Sequence, residues 1–207
     1  MNALKRRLKG IRAVLLGPPA MRRRALHEVV RMVARALGGH YVGEDHKLWL
    51  RDQVFVQRFR ELSPHNDFSM ERKYALRELA RSVADLPGAA VECGCYVGVS
   101  AWFMASVLEG GALYLFDSFE GLSEPAEPDR APQGLPQWES GDLTASEQEL
   151  RANLAGFAGI HVLKGWIPER FEEVAGERFK LVHVDVDLYQ PTLDSLASEL
   201  ETELLKS

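Results

Sequence analysis

The segment Glu92-Cys93-Gly94-Cys95-Tyr96-Val97-Gly98 closes one apolar run and opens another. Glycine at 94 and 98 lets the chain turn tightly and lets a ligand approach the backbone, since no Cβ stands in the way. The spacing is G-x-x-x-G rather than the G-x-G-x-x-G of a dinucleotide fingerprint. A strand-to-helix turn can also need such glycines for packing alone. Asp117 follows about twenty residues after that turn, behind the apolar run Leu113-Tyr114-Leu115-Phe116. An acidic side chain there can accept two hydrogen bonds from a ribose diol. The alternative is a loop aspartate that caps Ser118 or Phe119. Together, and in this order, the two features point to a nucleoside-type cofactor held outside the strand ends.

A third group is Val182-His183-Val184-Asp185-Val186-Asp187-Leu188-Tyr189. Strand alternation puts the three valines on one face and His183, Asp185 and Asp187 on the other. Two carboxylates at a strand end repel unless a cation or a proton lies between them. Mg²⁺ on Asp185 and Asp187 is therefore expected, with Asp185 nearer the cofactor cleft. Otherwise Asp187 caps the next helix and Asp185 bonds to backbone. His183 reads as packed in the sheet. Trp166, after Lys164-Gly165, either walls the adenine or the substrate or belongs to the core.

These residues need a scaffold, and the chain supplies strand and helix signals in alternation from Pro87 onward. Ala89–Cys93, Ala112–Phe116, Ile160–Lys164 and Lys180–Asp185 read as strands. Ser100–Leu108, stopped by Gly110 and Gly111, and Thr144–Leu154, with Asp142 or Thr144 as cap, read as helices. A last helix runs from Leu193 to about Leu205. Glu124–Gln137, rich in proline and charge, reads as a long surface loop. Such alternation predicts an α/β fold with a doubly wound parallel sheet. Before it, Arg22–Leu37 and Glu71–Leu86 show helical spacing, broken by Gly17-Pro18-Pro19 and Gly38-Gly39. Ser69 is the expected N-cap of the second of these helices. The predicted organisation is a helical segment and lid over 1–85, then an α/β domain over 86–207.

Composition narrows the partners. The 207 residues include 46% hydrophobic and 27% charged, enough for one buried core. The net charge of −5 argues against a general nucleic-acid binder. Lys5, Arg6, Arg7, Lys9, Arg12 and Arg22-Arg23-Arg24 crowd the start, either as a patch for RNA or anionic membrane or as a solvated helix face. The absence of interleaved aromatics favours the solvated face. Cys93 and Cys95 are the two cysteines, too close to staple a long loop and without further ligands for zinc. They read as small core residues in a reducing compartment, and no apolar run reaches the roughly 18 residues of a membrane span. A cytoplasmic protein without membrane or nucleic-acid partners is expected.

Five motifs, in order, resemble the macrocin O-methyltransferase-like enzymes: Phe68-Ser69-Met70-Glu71-Arg72, Val91-Glu92-Cys93-Gly94, Asp117-Ser118-Phe119-Glu120-Gly121, Lys164-Gly165-Trp166 and His183 to Tyr189. That family holds S-adenosylmethionine-dependent methyltransferases acting on sugars of macrolide and aminocoumarin antibiotics. The resemblance covers about Asp67 to Leu196. It implies a Rossmann-like class I methyltransferase sheet and S-adenosylmethionine as cofactor. By position, it implies that Glu92, Gly94, Tyr96 and Gly98 surround the methionine part, with Ser100 beside them at the helix start. Asp117 would hold the ribose, while Ser118, Phe119 and Gly121 shape the adenosine side. Ser69 and Met70 would belong to a helical lid, and Gly165 and Trp166 would complete the cofactor pocket. Asp185 resembles the family's metal ligand that lies close to the accepting hydroxyl; it is the expected catalytic residue and, with Asp187, the expected Mg²⁺ site.

The family pattern continues past Asp185 into a strand ending in paired aspartates and then a histidine proposed as base. This chain shows neither. The expectation is a sheet without its last strands, an exposed fourth strand, and weak or absent catalysis by the chain as it stands. The expected function is O-methylation of a small-molecule hydroxyl, on a sugar of a glycosylated natural product, by a protein compatible with a homo-oligomer. The competing readings are a non-catalytic cofactor-binding or interaction protein and a nicotinamide oxidoreductase; the glycine spacing weighs against the latter.

Overall fold

The computed structural model describes residues 18–39, 47–64, 69–133 and 135–204. Lys5, Arg6, Arg7, Lys9 and Arg12 of the basic start, and Phe68 of the expected lid motif, lie outside the described residues.

The chain divides into two compact units, the second beginning at Phe55. The first contains helix α1, Pro19–Ala36. It starts earlier than its arginine-rich pattern suggests because Pro19 fits the first helical position, where no amide hydrogen is needed. Gly38, in the left-handed region at φ 78°, follows its end.

The second unit is built on four parallel strands: β1 (Ala89–Cys93), β2 (Leu113–Asp117), β3 (Ile160–Lys164) and β4 (Phe179–Val184). Their order is β3-β2-β1-β4, so the chain winds outward from β1 on both sides. The sheet is Rossmann-like, as expected. β1 is buried along its whole length because it has a strand on each flank and helices on each face. Among the described residues β4 pairs with β1 alone, and Val182 on it is 38% exposed.

Alternation divides the sheet between two apolar clusters. On one face Ala90, Leu113 and Leu115 pack against helices α3 (Met70–Ser82), α4 (Val99–Ala105) and α5 (Glu147–Leu154) through Leu76, Ala80, Ala101, Met104, Leu150 and Leu154. On the other, Val91, Cys93 and Phe116 meet Phe171 and Val174. Helix α2, Gln53–Leu62, has no separate signal in the sequence. It is anchored by aromatic packing: Phe55 and Phe59 are buried, and Phe55 lies 4.6 Å from the Phe103 ring centroid. That packing joins residues 55–85 to the α/β unit, whereas the sequence suggested a change of domain at 86.

Three local expectations differ. The cap of α5 is Ser146, which accepts from the Glu149 amide at 3.4 Å; Thr144 instead donates to Gly141 O at 2.6 Å. Ser69 is the N-cap residue of α3, as expected, but it sits at φ 69° and makes no side-chain cap bond. The final helix, α6 (Tyr189–Leu204), begins four residues earlier than Leu193, as Pro191 is tolerated in a first turn.

Candidate functional site

A cavity of about 420 Å³ opens where the carboxyl ends of all four strands meet, within the usual size of a small-molecule site. Its floor is the turn after β1. Gly94 is at φ 82°, and a Cβ built there would stand 2.2 Å from Asp185 O. The close approach of the Asp185 carbonyl at the end of β4 is enough to require a glycine here. Gly98, at φ 83°, starts α4 and packs its α-carbon side on Leu150.

Asp117 organises this turn. Its Oδ2 accepts from the amides of Cys95 at 2.7 Å and Tyr96 at 2.8 Å, and its Oδ1 accepts from the Phe119 amide at 2.8 Å. A carboxylate offers about four lone-pair positions, so one on Oδ1 stays open beside the cavity that Asp117 lines. The aspartate therefore does cap Phe119, and it also spans two strands. Ser118 Oγ accepts from Glu120 N at 3.1 Å and donates to Gly121 O at 3.3 Å. Gly121, at φ 82°, lets Leu122 N donate to Asp142 O at 2.7 Å while Leu122 O accepts from Gly141 N at 2.9 Å; a Cβ there would meet Asp142 O at 2.5 Å.

Of the residues expected at a cofactor, Ser69, Gly94, Tyr96, Ser100, Asp117, Ser118, Gly121, Gly165 and Trp166 line the cavity. Met70, Glu92, Gly98 and Phe119 are not among its walls. Met70 and Phe119 are buried in the core at 4% and 6% exposure. Glu92 is fully buried, with Oε1 2.9 Å from His183 Nδ1 and Oε2 without a partner. The pairing follows from register, because Glu92 and His183 are neighbours across β1 and β4. His183 is accordingly tied into the sheet.

Asp185 and Asp187 both line the cavity, on a segment that leaves the sheet sooner than alternation suggests. Asp185 N still donates to Cys93 O at 2.9 Å, but Asp187 has turned to φ 63°. The common face drawn for His183, Asp185 and Asp187 therefore ends with the strand. Lys73 of α3 reaches across, its Nζ 3.3 Å from Asp185 Oδ2. Burial raises the Asp187 carboxyl above the ordinary range and the Asp185 charge adds to this, while Arg72 and Lys73 pull it down. The buried Cys95 thiol is pushed well up, first by burial and then by Glu92 and Asp117, so it stays neutral.

Several wall residues were not singled out as site residues by the sequence. Lys73 and Arg72 come from the lid helix, and Trp138, 42% exposed, comes from the long connector between β2 and α5. Asp129 on that connector accepts from Tyr189 N at 2.7 Å, tying it to the start of α6. Basic residues in the first turn of a helix are ordinary, and only the fold shows that Lys73 reaches Asp185.

Residues 8–202 match the family model of the macrocin-O-methyltransferases (TylF). The chain belongs to this family. A relative from Streptomyces olivaceus, 8-demethyl-8-(2,3-dimethoxy-alpha-L-rhamnosyl)-tetracenomycin-C 4'-O-methyltransferase, is 28% identical over 122 residues, covering 54% of this chain and 47% of the relative. The chain thus spans about half the length of the curated relative it matches. Among solved structures, that of CalS11, a calicheamicin methyltransferase, superposes with a TM-score of 0.52 at 19% identity over 72% of each chain. That likeness is one of fold. The macrocin-O-methyltransferase match fits a site at the strand ends, where this TylF-family chain has its cavity.

Proposed function

We propose that this protein is an S-adenosylmethionine-dependent O-methyltransferase that acts on a hydroxyl of a small molecule, a sugar of a glycosylated natural product. Family membership and the named activity of the Streptomyces relative support the reaction class. The observation that carries the cofactor is Asp117: a carboxylate that pins the glycine turn and keeps one Oδ1 position open toward a cavity of about 420 Å³.

When bound, S-adenosylmethionine would supply an electrophilic methyl to a hydroxyl oxygen, with a neutral thioether as the leaving group. Asp117 Oδ1 would accept from a ribose hydroxyl, and the backbone from Gly94 to Tyr96 would flank the amino-acid end. Trp166 walls the nucleoside side. Asp185, on the cavity wall at the end of β4, takes the proton of the accepting hydroxyl. Holding acceptor and donor in line is the larger part of the catalysis, because no protein nucleophile is needed.

Magnesium does not enter this proposal. Mg²⁺ demands an octahedral shell of oxygen ligands. The Asp185 carboxylate already faces the Lys73 ammonium, and no group of three His, Cys, Asp or Glu able to hold a metal occurs among the described residues. The donor set here does not fit the ion. We place the protein in the cytoplasm, in keeping with its two buried thiols at Cys93 and Cys95. No helix among the described residues is long and apolar enough to cross a membrane.

Calorimetry with S-adenosylhomocysteine and, separately, NAD tests the cofactor. Binding of the former and not the latter is expected, and a folded protein that binds neither ends the proposal. Incubation with S-adenosylmethionine and glycosylated acceptors, read as a mass gain of one methyl, tests the reaction; cofactor binding without methylation of any acceptor would leave a binding protein.

A further inference from the structure

We propose that the counter-cation of Asp185 is the ammonium of Lys73, with Arg72 beside it acting on Asp187, and that this lysine is a positioning residue for acceptor activation in place of a divalent metal. The inference rests on the methyltransferase reading for its consequence, and on the geometry of α3 and β4 for its substance. Lys73 sits in the first turn of α3, with its amide bonded to Ser69 O at 3.0 Å. From there the side chain runs inward until it is 13% exposed, although lysine ordinarily keeps its charge in water. A charge held that far from solvent needs a partner. The partner is Asp185, 112 residues away in the chain, with Nζ 3.3 Å from Oδ2. Both residues line the cavity.

Three consequences follow from electrostatics. A divalent ion on Asp185 would sit within a few ångströms of a fixed ammonium, and like charges at that range repel strongly. One oxygen of Asp185 is oriented by Lys73, which leaves the other to meet an acceptor hydroxyl. The contact also joins the lid helix to the end of β4, so the carboxylate is aimed when the helix is in place.

The test uses Mn²⁺, whose free ion is read by electron paramagnetic resonance, with the full chain and its Lys73→Met, Lys73→Arg and Asp185→Asn variants. The native protein and Lys73→Arg should show no saturable Mn²⁺ binding in the millimolar range. Lys73→Met, which frees the carboxylates, should bind Mn²⁺ about tenfold more tightly than the native chain or better. Native Mn²⁺ binding that Asp185→Asn removes would overturn the proposal, as would a folded Lys73→Met with no gain. If Lys73→Met does not fold, Lys73→Gln takes its place. S-adenosylhomocysteine affinity, measured on each variant, stands apart: its absence in the native chain sinks the methyltransferase reading and leaves the Mn²⁺ result standing. Where methylation is measured, Lys73→Met should lower kcat with little change in the cofactor KM, and Lys73→Arg should recover most of it.

Discussion

Gly94 and Asp185 touch backbone to backbone: an ideal Cβ on the glycine would lie 2.2 Å from the aspartate carbonyl oxygen. The turn after β1 and the segment that carries the Asp185 carboxylate are thereby set against each other by the main chain itself. Gly94→Ala adds both this clash and a left-handed backbone strained for any β-carbon, at φ 82°. It should destabilise the fold by about 3 kcal/mol or more and abolish S-adenosylhomocysteine binding in whatever fraction folds. Thermal denaturation with calorimetry measures both.

Asp117→Asn keeps the shape of the side chain but turns an acceptor toward amide donors into a donor at one position. Two of its three backbone bonds arrive on a single oxygen, from Cys95 and Tyr96. A stability loss of about 2 kcal/mol is expected. The affinity for S-adenosylhomocysteine should fall at least tenfold, read by calorimetry.

Glu92 offers a contrast. It is fully buried beneath the turn and paired with His183, outside the cavity walls. Removing a buried partner leaves the other polar group stranded, so Glu92→Ala should destabilise by about 3 kcal/mol. Cofactor affinity in the folded fraction should change less than threefold, in contrast with Asp117→Asn. A selective loss of affinity at unchanged melting temperature would instead put Glu92 at the cofactor.

Asp187 predicts a pH dependence. Its carboxyl is raised above its ordinary value of 3.8 by burial and by Asp185, so the native state favours the protonated form. The stabilisation is fully present below 3.8 and is lost as pH rises through the higher native value. Asp187→Asn, which tolerates the φ of 63°, should melt higher than the parent at neutral pH. The two curves should converge in acid; a melting difference independent of pH contradicts this.

Much of the scaffold was legible because its signals are local. Ala89–Cys93 and Ile160–Lys164 are apolar runs bounded by Gly88, Gly94, Gly159 and Gly165, and their ends fall where the sequence puts them. The end of β4 was not, because Val184-Asp185-Val186-Asp187 keeps a strand's alternation while the backbone bends at Asp187. The cap of α5 went to Ser146 since a hydroxyl one or two places off serves the same amides. What no local pattern carries is pairing across the chain. Asp117 with the Cys95 and Tyr96 amides, Lys73 with Asp185, and Glu92 with His183 all depend on how the strands are ordered. Trp138 reaches the cavity from a proline-rich connector that offers no periodicity to read.

The bond from Tyr189 N to Asp129 gives that connector a fastening midway along its length. A residue added or deleted near Asp129 would have to be absorbed either by the loop carrying Trp138 or by the opening turn of α6. Length variation there is thus a route by which the shape of the cavity can drift while every wall residue keeps its identity.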